Sequence, residues 1–324
     1  MHWSKDLRAL RRGARLATRV TLAQLRRSLK SAEPVVPPMP HGFLPLPAIQ
    51  PNPGGLRGVA YLPGSGVLPD APLIVLLHGC GQDAIAFATD AGWTALADRL
   101  RLPLLLAEQQ EANHRQRCFQ WFQPDQIARG QGEAGSIAAM VRATVRRFAC
   151  DPHRVFIAGL SAGGAMAAAM LAAYPELFAA GAVVAGLPVG TADGTLQALT
   201  RMAHGAPARE PDAWAALARR VAPAGHAGPW PRLSVWHGAA DDTVVPVNGE
   251  QLAAQFVALH RLPAAPTRAD THHACWGDAV ELWRLPGVGH AWPVAAGGAA
   301  ARFTTPGAVA AVPMIARFWG LAPV

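Results

Sequence analysis

The chain has 324 residues, of which 51% are hydrophobic and 15% charged, and its formal net charge is +8. This length suffices for one large or two ordinary domains with a full apolar core, and the low charge excludes a chain that is disordered throughout. The four cysteines do not make a disulfide scaffold in a chain of this size. Outside charge-interrupted stretches no apolar run is long enough to predict a membrane-spanning helix.

The positive charge is concentrated at the N-terminus. Residues 1–30 hold nine basic side chains and one acidic side chain, whereas residues 31–324 hold 20 of each. A basic chain suggests a nucleic-acid or acidic-membrane partner only where the charge covers the folded part. Because the larger part is neutral, the sequence predicts no nucleic-acid binding.

Residues 1–32 are predicted to form a basic amphipathic helix, because Trp3, Leu7 and Leu10 begin a pattern of helical spacing. Two interpretations stay open. The helix either packs a narrow stripe on the main domain, or residues 1–30 attach peripherally to a membrane or to a lipid-coated granule. No apolar segment of a secretory signal follows the basic residues, so a cytoplasmic location, granule-associated or not, is expected.

The main domain is expected to span residues 55–324, after a Pro-rich linker at 33–54. The predicted strands are 58–62, 73–77, 103–107, 155–158, 180–185, 233–236 and 280–285, and the main predicted helices are 84–101 and 135–148. This alternation predicts an α/β fold with a mostly parallel sheet and helices on both faces. Residues 191–231 interrupt it, and we interpret them as a lid insertion over the ligand crevice.

The segment Gly159-Leu-Ser-Ala-Gly163 matches G-x-S-x-G between an apolar strand and a helix. In this context the motif forms a sharp turn that exposes the serine hydroxyl, and Gly159 and Gly163 remove side chains that would collide across the turn. The helix then presents its positive N-terminus to developing negative charge. Ser161 is therefore predicted to be the nucleophile of an α/β-hydrolase.

A serine nucleophile needs a base and an acid that orients the base, and in this fold they follow the serine as acid, then histidine. Asp241 follows the strand 233–236 in the pattern H-G-x-x-D-x-x-V. We prefer it to Asp242, for which a solvated or helix-capping carboxylate is the alternative. His290 lies in a glycine-rich loop after the last predicted strand and is predicted to be the base.

The cluster His272-His273-x-Cys275 is the rival for histidine chemistry. Its spacing matches no usual zinc pattern, and it lacks a second ligand pair. The sequence therefore predicts a surface hairpin there, with no metal site, and no cofactor of any kind.

Ester hydrolysis also needs two backbone N–H donors for the oxyanion. The residue after the nucleophile, Ala162, is expected to supply one. Cys80, between Gly79 and Gly81 after a central strand, is expected to supply the other. A catalytic thiol at Cys80 is the alternative, but no motif places a base near it.

Several motifs together resemble the esterase/poly(3-hydroxybutyrate) depolymerase family, which is similar to the feruloyl and acetylxylan esterases of carbohydrate esterase family one. They are LLHGCGQDA at 76–84, AEQQEANHRQRCFQWF at 107–122, RGQGEAGSI at 129–137, DPHRVFIAGLSAGGAM at 151–166 and GVGHAWP at 287–293. The resemblance covers about residues 55–320. It implies an α/β-hydrolase fold and gives the triad and oxyanion residues above the same roles.

The resemblance implies a serine esterase that acts on a polyhydroxyalkanoate, poly(3-hydroxybutyrate), or its oligomers. The alternative is a feruloyl- or acetyl-type esterase on small or plant-derived esters, and a remote alternative is a non-catalytic protein that binds a granule or membrane surface. Two motifs depart from the family pattern: CFQWF at 118–122 stands for CWNWF, and HAWPVA at 290–295 stands for HAWPGG. Both departures touch the expected substrate-binding surface.

Trp121 and Trp292 lie in these two loops and are predicted to bind ester units of the substrate. Cys80 and Cys118 belong to two of the motifs and could approach each other. Because no signal peptide is recognised, free thiols are expected at both positions.

Overall fold

A computed structural model of the chain describes residues 39–296 and 301–321. The amphipathic helix predicted at 1–32, with its surface-attachment hypothesis, and the start of the predicted linker lie outside these residues. None of the helices described has the length and apolar composition that a membrane crossing requires.

The strands form one large sheet and one small one. They are β1 (Phe43–Pro45), β2 (Arg57–Tyr61), β3 (Leu73–Leu77), β4 (Leu104–Glu108), β5 (Val155–Leu160), β6 (Ala180–Val184), β7 (Arg232–Gly238), β8 (Arg268–Ala269), β9 (His273–Trp276), β10 (Val280–Leu285), β11 (Trp292–Ala295) and β12 (Thr304–Gly307). The large sheet has ten strands in the order β1-β2-β4-β3-β5-β6-β7-β10-β9-β8, and β11 pairs with β12. Neighbours from β4 to β10 pair in parallel, and both edges are antiparallel.

The helices lie between the strands. They are α1 (Ala84–Asp90), α2 (Trp93–Leu100), α3 (Pro124–Ile127), α4 (Gly132–Phe148), α5 (Ala162–Ala173), α6 (Thr195–His204), α7 (Pro211–Arg219), α8 (Val247–Leu259) and α9 (Ala311–Phe318). Strands β3, β4, β5 and β6 are buried at every position. Side chains alternate between the two faces of a strand, so burial at every position means that both faces are covered. The predicted α/β fold is confirmed.

Two helices replace the single helix predicted over 84–101. Gly92, between α1 and α2, has a φ of +89°, in the left-handed region that ends a helix. The apolar spacing continues across this residue, which is why the periodicity alone did not show the break.

The domain begins earlier than predicted, because part of the proposed linker at 33–54 belongs to the sheet. Phe43 pairs with Tyr61 as β1 adds to β2, and Leu46 N donates to the Gly58 carbonyl at 2.9 Å. Gly54 N donates to Ser136 Oγ at 2.8 Å. The proline content suggested an extended linker, but an edge strand tolerates proline because one of its sides needs no hydrogen bonds.

The insertion predicted at 191–231 contains α6 and α7, which differ in position. Helix α6 lines the cavity above the candidate nucleophile. Helix α7 instead buries Trp214 and Leu217 and packs on α8, where Gln255 Nε2 donates to the Trp214 carbonyl oxygen at 3.2 Å. Only the first half of the insertion therefore covers the site.

Candidate active site

Ser161 lies in a sharp turn between β5 and α5, where its φ of +56° and ψ of −120° are strained for a residue with a side chain. A Cβ added to Gly163 would collide with the carbonyl oxygens of Leu77 and His78, and one added to Gly159 would collide with the Gly163 backbone. Both glycines are thus required for the helix to approach the sheet this closely. The turn exposes the serine hydroxyl at the carboxyl end of the sheet.

The structure brings the three predicted triad residues together. His290 Nε2 lies 2.8 Å from Ser161 Oγ, and His290 Nδ1 lies 2.8 Å from Asp241 Oδ2. A carboxylate can only accept, so Nδ1 carries the proton and Nε2 is free to accept the serine proton. This is the arrangement in which a histidine acts as general base toward serine.

The environment of Asp241 keeps its carboxylate ionised. Thr243 N and Val244 N donate to Oδ1 at 3.0 and 2.9 Å. Burial alone would raise the pKa of Asp241, but hydrogen bonds from His237, His290 and the Val244 N–H, with the attraction of His290, hold it well below its ordinary value. Asp242 is exposed and contacts only the hydroxyl of its neighbour Thr243 among the residues described. Of the two candidate acids, the structure places Asp241 in hydrogen-bond contact with His290.

A second histidine braces the acid loop. His237 Nε2 lies 2.8 Å from the Val244 carbonyl oxygen, to which it donates, and 3.4 Å from Asp241 Oδ2. A Cβ on Gly249 would lie 2.7 Å from His237 Nδ1, so α8 packs tightly on this ring. In the sequence, His237 is visible only as the first residue of the H-G-x-x-D-x-x-V pattern, which predicts no role for it.

The predicted oxyanion donors both face the cavity. Cys80 and Ala162 line it beside Ser161, and neither backbone N–H has an acceptor in the part of the chain that the structure describes. A hydrogen bond within the Cys80 loop stabilises it, because Gln82 Oε1 accepts from Gly79 N at 2.7 Å. Two free N–H groups next to a nucleophile can stabilise the charge of a tetrahedral intermediate.

Buried His78 fixes the same loop. Its Nε2 accepts from Gln109 N at 3.1 Å, so its Nδ1 carries the proton and donates to the Gly79 carbonyl oxygen at 2.8 Å. Burial lowers the pKa of His78, which keeps the ring neutral. The residue is visible in the HGCG motif, but its hydrogen-bond partners are not predictable from that motif.

Cys80 and Cys118 form a disulfide, with their Cα atoms 4.3 Å apart. The expectation of free thiols at these two positions is wrong. It rested on the compartment inferred from the N-terminus and took no account of the distance between the two loops. The bond ties the oxyanion loop to the loop that carries Trp121, and a disulfide sulfur leaves Cys80 no thiol to act as a nucleophile.

The cavity over Ser161 has a volume of about 560 Å³, within the range of ordinary ligand sites. Its apolar lining consists of Trp121, Phe122, Leu160, Ala162, Leu187, Ala198, Leu199, Met202, Val244 and Phe303. His114, Gln116 and Arg302 add polar groups. Except for Trp121 and the oxyanion residue Ala162, none of these has a role predicted from the sequence. Leu187 and Phe303 lie outside the motifs that carry the predicted site.

The two predicted substrate-binding tryptophans have different positions. Trp121 lines the cavity. Trp292 does not: it is fully buried in β11, with its ring 5.3 Å from Phe87 and 5.8 Å from Trp93. The prediction for Trp292 is wrong, because the chain turns after His290 and directs this side chain into the core.

The Trp121 loop rests on a buried polar cluster. Glu133 accepts from Gln120 N at 2.8 Å and from the Gln109 side chain, and Gln109 Nε2 also donates to the Cys118 carbonyl oxygen at 3.3 Å. Burial raises the pKa of Glu133 to about 7, against the lowering effect of these hydrogen bonds. The cluster positions the cavity wall without touching the nucleophile.

Comparison with known proteins identifies the family of the chain. Residues 56–273 match the family described as esterase PHB depolymerase. The chain belongs to this family. It is 40% identical over 266 residues to poly(3-hydroxyalkanoate) depolymerase C of Paucimonas lemoignei, an alignment that covers 79% of this chain and 63% of that protein. An acetylxylan esterase of Coprinopsis cinerea is 30% identical over 277 residues, covering 80% and 72% of the two chains.

A solved structure shares the fold. The acetyl xylan esterase from Aspergillus awamori matches with a TM-score of 0.76 and 22% identity, covering 86% of this chain and 99% of that one. At this identity the match concerns the fold alone. The family match and the shared fold agree with the predicted class of enzyme, a serine hydrolase of the α/β-hydrolase type, and the structure joins Ser161, His290 and Asp241 by hydrogen bonds.

Proposed function

We propose that this protein hydrolyses the ester bonds of a polyhydroxyalkanoate, with poly(3-hydroxybutyrate) or its oligomers as substrate. The observation that carries the chemistry is the Ser161–His290–Asp241 array, joined by two 2.8 Å hydrogen bonds at the floor of an apolar cavity. The chain spans 63% of the length of the depolymerase from Paucimonas lemoignei. The substrate of that protein therefore does not transfer directly to this chain, and the polyester substrate is proposed on further observations.

The reaction follows from the positions of these groups. His290 Nε2 takes the proton of Ser161 Oγ as the oxygen attacks the ester carbonyl carbon, and the N–H groups of Cys80 and Ala162 face the resulting oxyanion. The imidazolium then protonates the leaving alcohol as the C–O bond breaks, which leaves an acyl-enzyme. A water molecule deprotonated by His290 attacks the acyl carbon, and Ser161 leaves with the proton.

Three features support a polyester substrate. The cavity is lined mainly by apolar side chains, which suit an uncharged aliphatic ester. Residues 31–324 have no net charge to attract a polyanion. Helix α6 also exposes Leu196 by 80% and Leu199 by 57%, and Leu199 reaches the cavity. Exposed leucines beside a cavity mouth are an apolar surface on which a polymer can lie.

The proposal is tested by product release from amorphous poly(3-hydroxybutyrate) granules, with methyl ferulate and acetylated xylan as parallel substrates. We expect 3-hydroxybutyrate or its oligomers from the intact protein and none from Ser161→Ala. Cleavage of the aryl or acetyl esters with no product from the polymer would contradict the proposed substrate and leave the serine esterase in place.

An acetyl- or feruloyl-type esterase is the second candidate. The similarity to acetylxylan esterases in sequence and in fold favours it. The identity to those relatives is lower than to the depolymerase, so the polyester is preferred.

We also propose that residues 1–30, which carry nine basic side chains, attach the enzyme to an anionic or hydrophobic surface. Amphipathic spacing and charge support this. Replacing Arg11, Arg12 and Arg15 with Gln in the full chain should weaken cosedimentation with amorphous granules. Unchanged cosedimentation would favour a solvated helix instead.

The expected cytoplasmic location stays a prediction, and the Cys80–Cys118 disulfide bears on it. Disulfides persist mainly in oxidising compartments, so the bond favours a location outside the cytoplasm. Alkylation of protein taken directly from acid-quenched cells distinguishes a cytoplasmic location from an oxidising compartment. Reaction at all cysteines supports the cytoplasm, and protection of Cys80 and Cys118 supports an oxidising compartment.

A further inference from the structure

The antiparallel end of the sheet carries a row of polar side chains that the proposed hydrolysis does not use. Cys275 of β9 pairs with Glu281 of β10, which pairs in turn with Ser234 of β7. His273 precedes Cys275 by two residues, so its side chain lies on the same face of the sheet. The donor atoms of His273, Cys275 and Glu281 all lie within 4.8 Å of one another.

These three side chains are the kinds that bind zinc. Glu281 Oε2 and Cys275 Sγ lie 2.8 and 3.3 Å from His273 Nε2. Imidazole nitrogen, thiolate sulfur and carboxylate oxygen are the usual donors to Zn²⁺, and a sulfur donor does not suit Mg²⁺ or Ca²⁺. Cys275 and Glu281 are buried, so little water competes for them.

Further contacts hold two of the three donors in place. Ser234 Oγ lies 2.6 Å from Glu281 Oε1 and receives a hydrogen bond from Trp236 Nε1 at 2.7 Å, which leaves Oε2 free to face the other donors. The His273 ring stacks on Trp283 at 3.8 Å, and Trp283 stacks on Trp236 at 4.8 Å. Such outer contacts are typical of metal sites, where they orient the ligands.

A cavity of about 510 Å³ opens beside the three donors. It leaves room for a fourth, water ligand. Asp278 and three arginines, Arg232, Arg268 and Arg317, also line it. Their positive charge opposes a cation, and the Arg268 guanidinium lies near the sulfur, with Nη2 4.0 Å from Cys275 Sγ. An anionic thiolate and carboxylate together balance a divalent ion.

We propose that His273, Cys275 and Glu281 bind one Zn²⁺, with water as the fourth ligand. On binding, coordinate bonds replace the His273–Glu281 hydrogen bond, and the Cys275 thiol releases its proton to solvent. The sequence pattern missed the site because Glu281 lies on the next strand. The ion has a structural role at this edge of the sheet, since Ser161 opens into a different cavity.

The test is metal binding by the full, untagged chain. After removal of metals, the protein is titrated with Zn²⁺ by calorimetry and its retained zinc is measured after dialysis. We expect about one Zn²⁺ per chain, lost in Cys275→Ser and in Glu281→Gln, with Ser234→Ala weakening binding by about 10–100-fold. Co²⁺ in place of Zn²⁺ should give a thiolate charge-transfer band that is lost in Cys275→Ser.

Two matched controls keep the result specific. Cys150→Ser removes the other buried free cysteine, and His272→Ala removes the exposed histidine next to the site. Both should bind Zn²⁺ as the unchanged chain does. Each variant's circular dichroism and hydrolysis of p-nitrophenyl butyrate show that it is folded. Absence of zinc binding by the intact chain, or equal binding by Cys275→Ser, would overturn the proposal.

Discussion

The catalytic array and helix α6 face the same cavity but differ in exposure. Ser161 is 9% exposed and Asp241 4%, and each is fixed by hydrogen bonds. Leu196 and Leu199 on α6 are 80% and 57% exposed. A group that reacts must be held in one geometry, whereas a group that meets an insoluble polymer must reach the surface.

This difference separates the two halves of the proposed function. Changes in the buried array should reduce the hydrolysis of every ester, soluble or polymeric. A change at Leu196, which lies outside the cavity, should affect only a substrate large enough to contact it.

Replacing Ser161 with Ala should have the largest effect. It removes the attacking oxygen while keeping the turn, so kcat for p-nitrophenyl butyrate should fall by about 10⁶-fold, as in other serine hydrolases. The assay is hydrolysis monitored by p-nitrophenolate release, with circular dichroism to show that the fold is kept. Turnover near that of the unchanged enzyme would refute Ser161 as the nucleophile.

Asp241→Asn should lower kcat by roughly 10⁴-fold, because an amide no longer holds His290 in the tautomer that accepts the serine proton. Asp242→Asn is the matched control, since this exposed neighbour makes no hydrogen bond to His290 among the described residues. Its kcat should stay close to that of the unchanged enzyme. If Asp242→Asn lowered kcat more than Asp241→Asn, the acid of the triad would be Asp242.

Glu133 tests the buried support under the Trp121 loop. Burial raises its pKa from 4.5 to about 7. Between these values the folded protein keeps a proton that the unfolded chain has lost, so the free energy of unfolding should fall as the pH rises. Between pH 4.5 and pH 7, the free energy of unfolding of the unchanged protein should fall by on the order of 3 kcal/mol more than that of Glu133→Gln.

Urea unfolding at a series of pH values measures this effect. Glu133→Gln should remove the fall, because an amide does not titrate. Glu111→Gln, which changes an exposed carboxylate in the same region, should follow the unchanged protein. Parallel curves for the protein and Glu133→Gln would show that Glu133 does not carry the pH dependence.

Much of the fold was predictable from the sequence because it depends on local patterns. A buried parallel strand needs a continuous apolar run, and Leu73–Leu77 was predicted with the bounds that the structure shows. Ser161 was predictable because the turn itself requires glycines at fixed spacing. Asp241 and His290 followed from the chain order of the fold, and the structure brings them together.

Other features depend on contacts between distant segments and left no local pattern. Trp292 lies beside a catalytic residue in the chain, yet its side chain is buried against Phe87. The Cys80–Cys118 bond depends on two loops meeting, and the Glu281 carboxylate meets His273 only through strand register. Composition also misled at β1, where a Pro-rich stretch pairs with the sheet.

The exposed leucines should show the smallest effect and the most selective one. Leu196→Ser removes an apolar side chain that is 80% exposed. If the polymer covers part of it, the loss is about 1 kcal/mol, or roughly fivefold in hydrolysis of amorphous polymer at limiting granule concentration. Hydrolysis of p-nitrophenyl butyrate should be unchanged, because Leu196 does not line the cavity.

Leu68→Ser provides the matched control, since Leu68 is also an exposed leucine, at 42%, but lies in the loop between β2 and β3 and not at the cavity. Leu68→Ser should leave hydrolysis of both the polymer and p-nitrophenyl butyrate unchanged, because we attribute polymer binding to α6 and not to the hydrophobicity of the whole surface. If Leu68→Ser slowed polymer hydrolysis as much as Leu196→Ser, adsorption would be a property of the whole surface. If Leu196→Ser slowed the soluble ester as well, Leu196 itself would influence the catalytic cavity, and the division between buried chemistry and exposed substrate contact would fail.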